Sequence, residues 1–169
     1  MANKTVEELR SQTEAAWRNL SRQLDGMEPH LERSDAPGQW TTREVLAHLL
    51  FDPGWNVVDT LKTFTDRTLP VFDIQAGEVI VTPERRTMTL AQFKDTLEAQ
   101  RRDALGYLDS LPEADLHARK VRIPLFKQFM GTDEISLAMF VGAMLGYHWS
   151  DHAGQLAKIR NAVGLPEAK

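Results

Sequence analysis

No cysteine occurs in the 169 residues. Disulfides, thiolate metal sites and cysteine nucleophiles are therefore excluded. The compartment stays open on that ground, since reducing and oxidising surroundings both tolerate such a chain. No apolar run approaches the roughly 20 residues of a membrane span, and the polar start MANKTVEELR has no apolar signal core. A cytoplasmic protein with no membrane partner is expected. Nor is there an excess of positive charge: 20 basic against 24 acidic residues leave a net charge of -4, so nucleic acid is not expected as a partner. Basic residues gather only at Arg119, Lys120, Arg122 and Lys127, a cluster readable as a solvated loop, a dimer rim or an anion site. Internal repeats, a GxSxG segment, a phosphate-cradling glycine loop and a dinucleotide fingerprint are all missing.

What is there is helical periodicity, in a chain whose 42% apolar content is ordinary for a globular domain. Val6, Leu9, Ala16, Trp17, Leu20 and Leu24 form one stripe, and Thr5 and Glu8 have capping-box spacing. After the turn stretch SDAPGQ, the segment WTTREVLAHLL opens a second helix. Thr41 is its N-cap, Glu44 lies three residues on, and Trp40 and Val45 hold the positions of a hydrophobic staple. Asp52-Pro53-Gly54 interrupts the stripe before it resumes at Trp55, Val58, Leu61 and Phe64. The spacing predicts one long element kinked at Pro53, with two shorter helices as the alternative.

Residues 68–88 read as irregular, with EVIVT as a short extended piece that lacks a pairing partner. Thr89 and Gln92 open a third helix over 90–110, closed by Pro112. A loop of about 20 residues follows, and long ordered loops often border sites. Thr132 or Asp133 is expected to cap a fourth helix running to about Val163, with Gly164 and Pro166 as its stop. Gly142 and Gly146 should let a neighbour approach that helix closely. The expectation is an all-α, four-helix bundle with long inter-helix loops, formed by residues 1–169 as a single domain.

The last helix contains YHWSDHAGQL. Stepping from Leu145 by three and four reaches His148, His152, Leu156 and Ile159, so both histidines fall on the apolar stripe. At i and i+4 their side chains stand over each other, about 6 Å apart at Cβ, a spacing that lets two imidazoles share one metal ion. His48 sits at the edge of the second helix's stripe. A buried imidazole without partners costs roughly 1–3 kcal/mol per unsatisfied group. Three of them converging would need something to bind, and a divalent cation meets that need. Hydrogen-bonded core histidines are the plainer reading of each residue alone.

Asp52, four residues after His48, reads as a fourth ligand, a water-holding group or a cap for a segment starting at Pro53. Gln155 reads as a bond to a ligand or water, or as a bridge between helices. His30, His117 and Asp151 read as surface residues. The segment HWSDH lacks the glutamate that the zincin motif HExxH uses as general base. Trp55 and Trp149 read as core residues or as walls of an apolar pocket.

WTTREVLAHLL and HWSDHAGQLAKIR, in this order and separation, resemble the second-helix and last-helix motifs of the DinB-like (DinB/YfiT-type) metalloenzyme family. The resemblance spans nearly the whole chain, and its specificity rests on these two segments. It implies a four-helix bundle of unusual connectivity, often a homodimer, and a divalent metal ion such as nickel or zinc held by His48, His148 and His152. Gly154 and Gln155 match the family's Gly-Gln. It also implies an activity with a low-molecular-weight thiol or another small-molecule substrate, as in family members that act as S-transferases or a thiol-dependent isomerase. Asp52-Pro53-Gly54 departs from the family pattern of a continuous helix. A non-catalytic, stress-related binding or interaction protein with a structural metal or none is the alternative.

Overall fold

The computed structural model describes residues 3–169, so the first two residues of the expected unit lie outside it. Helix α1 spans Lys4–Gln23 and buries Val6, Leu9, Ala16, Trp17 and Leu20, the stripe read from the sequence. Its cap is Asn3, whose side chain accepts from the Val6 amide. Thr5, expected to open a capping box with Glu8, instead donates its hydroxyl to Glu113 Oε1 at 2.8 Å. Helix α2 covers Thr42–Leu49 and begins with the expected reciprocal box between Thr41 and Glu44.

The long kinked element is not formed. Leu50 turns to extended backbone with ψ 147°, and Gly54 takes φ +86°, a conformation that favours glycine. The chain re-enters a helix only at α3, Val57–Lys62, capped by Asn56. The shorter alternative is therefore the observed one. Asp52 caps no helix; its carbonyl accepts the Trp55 amide in a turn.

EVIVT pairs with no strand, and its Thr82 caps a short helix α4, Pro83–Thr87. Helix α5, Leu90–Asp109, opens with the Thr89–Gln92 box and buries Leu90, Phe93, Leu97, Ala104, Leu105 and Leu108. The following loop is more structured than expected. It contains α6 (Glu113–Ala118), strand β1 (Lys120–Arg122) and a one-turn α7 (Lys127–Met130). Strand β2 (Glu134–Ser136) pairs antiparallel with β1, Val121 opposite Ile135. One small two-stranded sheet thus accompanies the expected helices. The loop at 65–72 is stitched to its other side, with the Phe72 amide donating to Arg122 O at 2.8 Å and the Arg122 amide to Pro70 O at 2.7 Å.

Because β2 occupies 134–136, the fourth helical stretch starts later than Thr132. Ser136 caps α8, Leu137–Val141, accepting from the Met139 amide at 3.3 Å. A π-helical segment, Gly142–Tyr147, leads into α9, His148–Ala162. Helix α1 packs along α9 on one side and α5 on the other, while α2 contacts both α9 and α5. Around the bundle the order is therefore α1, α9, α2, α5. Successive long helices α1 and α2 lie diagonally, which makes this a four-helix bundle whose connectivity is not simple up-and-down. Gly142 and Gly146 face α1 as expected: a Cβ on Gly146 would sit 2.8 Å from Gln12 Nε2.

Candidate metal centre

His48 lies in the last turn of α2, and His148 and His152 lie in the first two turns of α9. The contact between those helices brings the three together. A π-helical segment directly precedes these two turns of α9. Trp149 is a core residue, fully buried and 5.7 Å from the Trp17 ring. His152 is buried on the expected stripe at 8% exposure, and His148 is half-buried at its edge.

The ring nitrogens converge. His48 Nε2 and His152 Nε2 each lie 3.0 Å from His148 Nε2, and one ligand atom from each residue falls within 4.8 Å of the others. The outward nitrogens are committed elsewhere. His48 Nδ1 is 2.6 Å from the Glu78 carbonyl, which only accepts, so that nitrogen carries the proton. His152 Nδ1 donates to Gln155 Oε1 at 2.8 Å. Both Nε2 atoms therefore present lone pairs to His148 Nε2, which can supply at most one proton in the neutral ring. One cation satisfies all three nitrogens. Nitrogens that share a zinc-sized ion at about 2.0–2.1 Å each stand roughly 3.0–3.4 Å apart, so the residues fit such an ion.

Electrostatics favour the neutral form of the two rings on α9. Burial, with the neighbouring His152 and His48 adding to it, pushes the His148 pKa down to about 3. Burial also lowers that of His152, against the opposing hydrogen bond from Gln155 and the charge of Asp151. The Trp40 ring covers one side of the group, 4.8 Å from His48 and stacked 6.0 Å from His152. Reading Trp40 only as a staple missed this.

The other candidates fall outside. Asp52 is exposed and does not belong to the three-residue group. It lies near Arg85, a buried guanidinium held by the carbonyls of Ala47, Ile80 and Phe51. Asp151 is exposed, His30 is half-buried away from the group, and His117 is exposed beside Thr5, its Nε2 3.2 Å from Thr5 Oγ1. The carbonyl of Glu78 was missed altogether, because a backbone acceptor in an irregular loop leaves no side-chain signature.

In front of the histidines opens a cleft of about 1240 Å³. One wall carries Phe126 and Phe140, stacked at 6.4 Å, with the buried Phe64 behind Phe140 at 5.3 Å. Trp55, expected in the core or a pocket wall, lines this cleft and is 57% exposed.

A four-helix bundle with three convergent histidines beside an open cleft is the class of protein that this fold and this site define. Within that class the chain belongs to the DinB superfamily, whose family model matches residues 5–156. Among solved structures it is similar to YfiT from Bacillus subtilis, described as a probable metal-dependent hydrolase with an unusual four-helix bundle topology. The TM-score is 0.60 and the identity 17%, with 95% of this chain and 90% of that chain covered. At that identity the likeness concerns the fold. The comparison with curated proteins returned no match. Among the described residues no helix is long and apolar enough to cross a membrane.

Proposed function

We propose that this chain is a divalent-metal-dependent enzyme acting on a small molecule, with His48, His148 and His152 holding one ion, nickel or zinc, through Nε2. The observation that carries the reading is the commitment of Nδ1 in His48 and His152 to acceptors, which leaves their inward lone pairs to share one point with His148. Bound there, a divalent cation supplies Lewis acidity, favouring the ionised form of a thiol or water and polarising an electrophile. The chain's own groups do the rest. The Glu78 carbonyl and Gln155 keep protons on the outward nitrogens, Trp40 shields one side of the imidazoles from water, and the cleft holds the substrate against them. Three neutral ligands leave the ion's double charge undiminished.

The finer assignment is transfer or activation of a low-molecular-weight thiol. The glutamate that zincins use as general base is missing from HWSDH, and the carboxylates of the cleft wall stand outside the ligand group. A thiol, with a pKa of about 8.5, needs less assistance to ionise than water does. Hydrolysis is the second reading, favoured by the description of YfiT. A cytoplasmic homodimer completes the proposed picture. A closed site with Asp52 as fourth ligand would support the non-catalytic alternative, and Asp52 stands outside the group; a histidine cluster joined only by hydrogen bonds would support it too, and the metal content of tag-free protein separates that case from the enzyme. Metal-loaded protein without an affinity tag, screened with thiol–electrophile pairs and with ester and amide substrates, should show turnover that His148→Ala abolishes. Turnover equal in wild type and His148→Ala contradicts the enzyme reading.

A further inference from the structure

The large apolar side chains left exposed among the described residues are Trp55, Val71, Phe129, Met130 and Tyr147. All five line the cleft that leads to the histidines. They come from four separate stretches of chain, so local composition does not explain their gathering. Scattered exposed apolar residues need no explanation, whereas a contiguous set around a concave site marks a binding surface.

The charge lining the same cleft is of one sign. Glu8, Asp52, Asp73, Glu78 and Asp151 belong to its wall, and no lysine or arginine does, although the chain carries 20 of them. Of these carboxylates only Glu8 is in an ion pair among the described residues, with Lys4 at 3.8 Å. Three of the four basic residues that the sequence offered as an anion site are turned to acids, Arg119 to Asp115 at 2.7 Å, Lys120 to Glu134 at 3.8 Å and Arg122 to Asp133 at 3.8 Å, and the fourth, Lys127, does not line the cleft.

We infer that the cleft takes a small molecule with an apolar, aromatic-sized body and a cationic group, because its four carboxylates outside ion pairs outnumber the double charge of an ion at the histidines. The inference rests on the proposed function only in that this molecule is the enzyme's substrate. Ring faces at Trp55, Phe129 and Tyr147 attract a cation through their quadrupoles, and the carboxylates add a field of the same preference. A second copy of the chain fits less well. A two-fold contact over this surface would set the acidic wall against itself.

The test uses metal-free full-length protein and three ring-matched probes, 1-naphthylmethylamine, 1-naphthalenemethanol and 1-naphthoate, titrated by calorimetry at low ionic strength. The amine should bind about tenfold more tightly than the carboxylate, with the alcohol between, and high salt should compress the series. Asp73→Asn combined with Asp151→Asn should reduce the amine's advantage while leaving the alcohol's affinity unchanged, which also shows that the variant is folded. Trp55→Ala should weaken all three. Equal or tighter binding of the carboxylate overturns the inference, as does an amine affinity indifferent to these substitutions. Absence of binding by every probe overturns it too, in favour of a second copy if sedimentation shows a dimer that Phe129→Ser dissociates. Because metal is omitted, the ranking is independent of the histidine centre, whose failure is read separately from metal content.

Discussion

Replacing Gln155 with alanine removes the acceptor that keeps a proton on His152 Nδ1, a 2.8 Å hydrogen bond beside a ring only 8% exposed. Without it the ring is free to carry its proton on Nε2, the atom aimed at His148 Nε2. Metal binding must then re-impose the tautomer and the ring orientation. Loss of such an outer hydrogen bond costs about 10–100-fold in metal affinity, or roughly 1.4–2.8 kcal/mol. One effect runs the other way. The Gln155 hydrogen bond raises the His152 pKa, so its removal lessens proton competition. At pH 7.5 burial already holds that pKa below its ordinary value, so little proton remains to compete and the orienting effect decides. The assay is a competition titration against a chromogenic zinc chelator at pH 7.5. Gln155→Ala should bind at least about tenfold more weakly than wild type, while Gln155→Glu, which keeps an acceptor, should recover most of the loss. An affinity for Gln155→Ala within about twofold of wild type refutes the reasoning. His48 offers no equivalent substitution, since its orienting acceptor is backbone.

Arg85→Met keeps the aliphatic stem but strands the carbonyls of Ile80 and Phe51; denaturant unfolding should show a loss of about 2–4 kcal/mol, and a loss below about 1 kcal/mol contradicts this. For pH, His148 titrates near 3 in the folded chain and near 6.5 when unfolded. Between those values the unfolded state binds the extra proton, so metal-free stability must fall as pH drops from about 6.5, by at most about 1.4 kcal/mol per unit for this group. Unfolding at pH 7, 5.5 and 4.5 should show a steeper decline in wild type than in His148→Ala, and equal slopes contradict the assignment. Gly146→Ala gains about 0.8–1 kcal/mol of helix propensity and crowds Gln12, whose flexible amide end lies 2.8 Å from the added Cβ. Gln12 is exposed and can swing aside, so thermal unfolding should show no destabilisation. A clear loss of stability means that Gln12 is held in the notch.

Features carried by local side-chain chemistry were legible. The boxes at Thr41–Glu44 and Thr89–Gln92 form as read, because each involves residues one turn apart. The three histidines meet because two of them share a helix and the third faces it from α2. What was not legible depends on distant partners. Lys120–Arg122 reads as loop until Glu134–Ser136 lies beside it. Thr5 has capping spacing, but Glu113, far along the chain, takes its hydroxyl. The π segment at Gly142–Tyr147 leaves no mark in composition, whereas the burial of Trp149 and His152 was legible. Arg43, Arg85 and Arg160 look like surface residues in sequence, but they are buried and satisfied by backbone carbonyls. Of the cleft's apolar rim only Trp55 was read as a candidate pocket wall, since Val71, Phe129 and Tyr147 join it only through tertiary structure.

The most direct measurement is the metal content of tag-free protein, read together with the anomalous density of its zinc- or nickel-loaded crystals. One ion per chain is predicted, with its anomalous peak bounded by the Nε2 atoms of His48, His148 and His152. A metal-free chain that takes up no divalent ion, or a peak away from these three rings, contradicts the account.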